Sequence, residues 1–71
     1  MKVRIKLDTM TDIKNFVDIC TKITEPVKIS DNAGHCVSAK SMLGMLYTME
    51  WSEVWCECET DVYSKIKSFV I

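Results

Sequence analysis

Glycine and proline are scarce here: two glycines and one proline in 71 residues. So few chain breakers leave little room for linkers, and one small domain over residues 1–71 is expected. Charge of one sign is not in excess. Nine basic residues face 10 acidic ones, for a net charge of -1. A nucleic-acid binder normally carries a basic excess, so no nucleic-acid partner is expected. No apolar run approaches the roughly 20 residues of a membrane span. The opening Met1-Lys2-Val3-Arg4-Ile5-Lys6 is charged at every second residue and lacks the apolar stretch of an export signal. No membrane insertion and a cytoplasmic location are therefore expected. Hydrophobic residues make up 48% and charged residues 27%, which is the composition of a folded chain rather than a disordered one.

Cysteine is the residue in relative abundance. Cys20, Cys36, Cys56 and Cys58 are an even number, but without an export signal they are expected as reduced thiols packed like small hydrophobes. Cys56-Glu57-Cys58 is a C-x-C on a strand, not the C-x₂₋₄-C knuckle of a zinc site. No metal and no cofactor are expected. The alternative is a metal module that joins His35 and Cys36 to the two cysteines of that strand.

Val3, Ile5 and Leu7 alternate with Lys2, Arg4 and Lys6, the period of a half-buried strand. Thr9 and Asp12 have the spacing of a capping box, with Thr11 as the alternative cap. Ile13, Phe16, Val17, Cys20 and Ile23 recur at helical steps, which predicts a helix from Thr11 to Ile23, barred from continuing by Pro26. Val27-Lys28-Ile29 is a second strand. Asp31-Asn32-Ala33-Gly34 reads as a turn, and His35-Cys36-Val37 as a third strand. A short helix is predicted from Ser41, its cap, to Met49. Val54, Cys56 and Cys58 alternate with Trp55, Glu57 and Glu59 in a fourth strand. Thr60 is the expected cap of a last helix carrying Val62, Ile66, Phe69 and Val70.

The order β-α-β-β-α-β-α predicts an α+β fold, an open-faced sandwich with a four-stranded antiparallel sheet covered by helices on one face. Lys2, Arg4, Lys6, Lys28, Trp55, Glu57 and Glu59 belong to the open face, where opposite charges can pair across strands. Trp55 on that face is either a contact for a homodimer or rests on the stems of Arg4 or Lys28.

Over essentially its whole length the chain resembles the histidine-containing phosphocarrier protein (HPr) of the bacterial sugar phosphotransferase system. The most specific match is Lys40-Ser41-Met42-Leu43-Gly44-Met45, similar to that family's K-S-I-M-G segment. Val27 to Val37 resembles its second hairpin, and Glu53 to Asp61 its fourth strand and final turn. The family passes a phosphoryl group through a histidine in an H-x-R-P motif at the start of the first helix. Here that position is Thr9-Met10-Thr11-Asp12, with no His, Arg or Pro. Asp8 and Asp12 also bring carboxylates to the helix end that would attract an anion.

The resemblance therefore implies a relative in sugar transport or its regulation that does not transfer phosphoryl groups and is not an enzyme. Its partners would be proteins, either phosphotransferase-system components or a regulator. Carried over by position, Met42, Leu43 and Leu46 are the partner-binding residues, and Ser41 matches a serine that some members have phosphorylated. The alternative is a working phosphocarrier that uses Thr9, Thr11 or His35. His35 is expected as a hairpin residue without catalytic work, since no carboxylate is foreseen to orient it.

Overall fold

The computed structural model describes all 71 residues. Four strands, β1 (Lys2–Ile5), β2 (Val27–Ser30), β3 (Cys36–Ser38) and β4 (Val54–Cys58), form one antiparallel sheet in the order β1-β4-β2-β3. Three helices accompany it: α1 (Met10–Thr21), α2 (Met42–Leu46) and α3 (Tyr63–Ile66). The architecture is an open-faced α+β sandwich. No helix is long and apolar enough to cross a membrane.

Register explains which residues reach the core. Ile29 pairs with Val37 on one side and Cys56 on the other, so these three share the face beneath the helices. Val27 and Cys58 are partners on that face, as are Ile5 and Val54. The stripe Ile13, Phe16, Val17 and Cys20 of α1 closes over them, joined by Ile23, Met45, Val62 and Ile66. Phe16 is fully buried and meets Phe69 edge to face, at 5.3 Å between centroids and 88° between planes. Burying such a ring contributes about 1.5–3 kcal/mol. α1 starts where its chemistry dictates. The Thr9 hydroxyl accepts from the Asp12 N–H at 3.1 Å, and the Asp12 carboxylate accepts from the Thr9 N–H at 3.3 Å. Thr9 is thus the cap, and Thr11 lies inside the helix.

α1 ends at Thr21 rather than Ile23. Ile23 is buried but beyond the helix, and the Lys40 ammonium donates to the Ile23 and Thr24 carbonyls, which satisfies acceptors left over by the helix end. β3 begins at Cys36, one residue later than expected, because Asp31 draws His35 into the turn. The Asp31 Oδ1 accepts from the Ala33 and His35 N–H groups at 2.8 and 3.1 Å. Asn32 (φ 61°) and Gly34 (φ 104°) take the left-handed conformations the turn requires. The predicted helix to Met49 tightens into a 3₁₀ turn over Tyr47–Glu50. Gly44 allows α2 to lie on the sheet: a Cβ there would stand 3.3 Å from both the Val37 Cβ and the Ser41 hydroxyl.

Thr60 does not cap the last helix. Its hydroxyl lies 3.5 Å from the Cys58 sulfur, and the Asp61 carboxylate instead accepts from the Tyr63 N–H at 3.0 Å. α3 is short and gives way to a 3₁₀ turn, Lys67–Phe69. The tail then returns to the first strand. Phe69 O accepts from the Lys6 N–H at 2.8 Å, Val70 bridges to Ile5, and the Ile71 N–H donates to Arg4 O at 3.1 Å. β1 itself stops at Ile5, and Leu7, half-buried, still packs on the core.

The open face carries Lys2, Arg4, Lys28, Trp55 and Glu57, whereas Lys6 and Glu59 lie beyond the strand ends. Lys28 and Glu57 are register partners and ion-paired at 3.8 Å. Trp55 is half-buried. The Lys2 ammonium sits 5.5 Å from its ring centroid, Arg4 is its register partner on β1, and its indole N–H donates to Glu53 at 3.1 Å.

Candidate functional site

The segment from Ser41 to Trp51 determines the most exposed apolar surface. Ser41 caps α2: its hydroxyl accepts from the Gly44 N–H at 3.2 Å. A helix this short can bury one stripe, and the buried side chains are Met45 and Thr48. Thr48 silences its hydroxyl by donating to Met45 O at 2.7 Å. The remaining apolar residues are left outside. Leu43 is 72% exposed, Tyr47 62%, Met49 49% and Met42 36%. Leu46 is half-buried. Met42 and Leu46, like Leu43 and Tyr47, are four residues apart, so the four form one continuous surface. Tyr47 was not anticipated as part of this surface. Its spacing of four residues from Leu43 was the available signal.

Tyr47 also borders a groove of about 520 Å³ between the Asp31–His35 turn and the 47–50 turn. Here the expectation for His35 is corrected. Its Nδ1 lies 2.7 Å from the Asp31 Oδ2, so a carboxylate does orient the ring. Asp31 is only 12% exposed in its side chain, while His35 is 72% exposed. Burial pushes the Asp31 carboxyl up, but the Ala33 N–H, the His35 ring and the His35 N–H together outweigh it and hold the group below its ordinary value. The imidazole is braced on another side by Trp51, 6.3 Å away between centroids and tilted by 34°. The clue in the sequence was an aspartate four residues before the histidine across a glycine-containing turn.

At the first turn of α1 the chemistry is different. The Asp12 carboxylate accepts from the Asp8 N–H at 3.0 Å as well as from Thr9. The helix end that would hold an anion is already occupied by the chain's own carboxylate, and the Thr9 hydroxyl is engaged as a cap acceptor.

The cysteines divide. Cys20, Cys56 and Cys58 are buried, as expected, but Cys36 is exposed. Cys36 pairs with Ser30, and Ser30 with Trp55, which puts it on the open face. Cys56 and Cys58 face the helices, so the sheet separates them from Cys36, and these residues do not converge with His35 on one site. Burial, with added repulsion from Cys56 and Cys58, pushes the Cys20 thiol up to about 12 against a smaller opposite pull from Lys40. Burial likewise pushes Cys56 up to about 11. Such thiols stay protonated and inert at neutral pH. No protein-family model, no curated protein and no solved structure matches the chain.

Proposed function

We propose that the chain is a non-catalytic protein-docking module, related to the HPr phosphocarriers, that keeps the docking helix of that family without its phosphorylatable histidine. The observation that carries this reading is the surface of Met42, Leu43, Leu46 and Tyr47, apolar and exposed on a segment anchored by Met45 and Thr48. Solvated apolar residues grouped this way suit a partner surface, and methionine adapts its shape to what it meets. A four-stranded antiparallel open sheet with three helices is compatible with that reading. The occupied first turn of α1 favours a non-transferring relative, because Asp12 would repel a phosphoryl group.

The partner in this reading is a protein of the phosphotransferase system or one of its regulators. Phosphorylation of Ser41 would regulate docking, since added charge would fall beside Met42 and Leu43. A homodimer through the open face is a weaker alternative, because Trp55 there is already covered by Lys2 and tied to Glu53. The test of the docking surface is Leu43→Asp: the variant should remain folded and lose a partner that the unsubstituted protein captures.

A second reading has its own observation. His35 is exposed, single and oriented by Asp31, leaving Nε2 free as a nucleophile. Among the alternative acceptors it is the one with this support, Thr9 being committed to its cap. Incubation with enzyme I and labelled phosphoenolpyruvate separates the readings. Acid-labile label on His35 would establish the carrier reading, and an unlabelled protein supports the docking module.

A further inference from the structure

We infer that the groove between the Asp31–His35 turn and the 47–50 turn binds an extended, proline-rich segment of another protein that carries a basic residue. This rests on the reading of the Met42–Tyr47 surface as a docking face, which the groove continues through Tyr47.

The groove is lined by His35, Cys36, Val37, Tyr47, Glu50 and Trp51. Two of its three aromatic walls are held before any ligand arrives, and Tyr47 is the exposed third. Trp51 packs partly on the core, and His35 is clamped between Asp31 and Trp51. Fixed aromatic faces favour a ligand that is itself already ordered, because neither side then loses much conformational freedom on binding. A polyproline segment is such a ligand: it is extended without internal hydrogen bonds, and it docks in aromatic-lined grooves.

The hydrogen-bonding chemistry is complementary too. Prolines offer carbonyl acceptors and no N–H donors. Tyr47, 62% exposed, and Trp51 both line the groove, and the phenol O–H and indole N–H they bring are donors. Glu50 supplies the only carboxylate of the lining, so a basic residue of the segment has a counter-charge. The single proline of this sequence, Pro26, precedes β2, so these 71 residues hold no such segment.

The experiment uses the whole chain and three synthetic peptides: a proline–leucine repeat ending in arginine, the same repeat ending in aspartate, and a version with glycine in place of proline. His35 is the only histidine, so its ring-proton resonances report on the groove without any substitution. The Trp55→Phe variant adds a second readout, the emission of Trp51 alone. The arginine peptide should bind saturably and shift both signals. The glycine and aspartate peptides should bind about tenfold more weakly. Tyr47→Ala should weaken the arginine peptide by about tenfold, as loss of an anchoring aromatic does, and Glu50→Lys should reverse the preference between arginine and aspartate.

Absence of saturable binding, or equal affinity for the glycine peptide, would overturn the inference. So would a concentration-dependent dimer that shifts the His35 signals and is not displaced by peptide, since a second copy would then fill the groove. If the peptides fail while Leu43→Asp still loses a captured partner, the occupant named here is wrong and the docking reading stands. If Leu43→Asp has no effect either, the docking reading falls as well.

Discussion

Introducing an aspartate at Leu43 or at Met45, two residues apart on α2, should have opposite consequences. Leu43 is 72% exposed and Met45 is fully buried. Full burial of a leucine contributes about 1.5–3 kcal/mol, and Leu43 realises roughly a third of that or less. The poorer helix propensity of aspartate adds about 0.5 kcal/mol, offset in part by its place in the first turn, where a negative charge gains about 0.3 kcal/mol. Leu43→Asp should therefore cost about 0.5–1 kcal/mol. In a domain of this size that lowers the Tm by roughly 2–8 °C. Met45→Asp removes a side chain whose loss alone costs about 2–5 kcal/mol, and it forces a carboxyl group into a site with no charged partner. The sum approaches the roughly 5 kcal/mol at the low end of small-domain stability, so this variant should not fold. Thermal unfolding followed by circular dichroism measures both. If Leu43→Asp unfolds the domain, or lowers its stability by about 3 kcal/mol or more, Leu43 belongs to the core and the docking surface is misplaced.

Other consequences are as direct. Thr9→Ala removes one half of the capping box and should cost about 1 kcal/mol in denaturant unfolding. Ser30→Ala should raise stability by about 1 kcal/mol, because the Ser30 hydroxyl is buried without a partner. In native protein an aromatic disulfide reagent should titrate Cys36 alone. All four thiols should react in denaturant, where the burial that keeps Cys20 and Cys56 protonated is lost. Asp31 is held below its ordinary value in the folded protein. Its contribution is therefore present above the unfolded carboxyl value of about 3.9 and is lost as pH falls through the lower folded one. Asp31→Asn should flatten that acid limb of the stability curve, measured by unfolding at a series of pH values.

What the sequence revealed follows from how local each feature is. The capping box of Thr9 and Asp12 and the alternation of Val54, Cys56 and Cys58 depend on residues a few positions apart, and both were legible. So was the cap at Ser41. Features that depend on distant segments were not. The Lys40 ammonium reaches the end of α1 from the far side of the β2–β3 hairpin. The tail at Val70 and Ile71 covers β1 from the other end of the chain. Cys36 was misjudged because it was grouped by residue type with the core thiols, although strand alternation puts it on the face opposite Val37. The pairing of Asp31 with His35 was local but hidden, since only the turn geometry at Asn32 and Gly34 folds the carboxylate back onto the ring.

The central claim is that partners dock on α2 and its flank rather than on the open sheet face. The most direct test is a capture experiment comparing the unsubstituted protein, Leu43→Asp and an open-face variant, Lys28→Glu, with folding of each verified by circular dichroism. A captured protein should be lost with Leu43→Asp and retained with Lys28→Glu. Retention with Leu43→Asp and loss with Lys28→Glu would place the interface on the open face and contradict the claim.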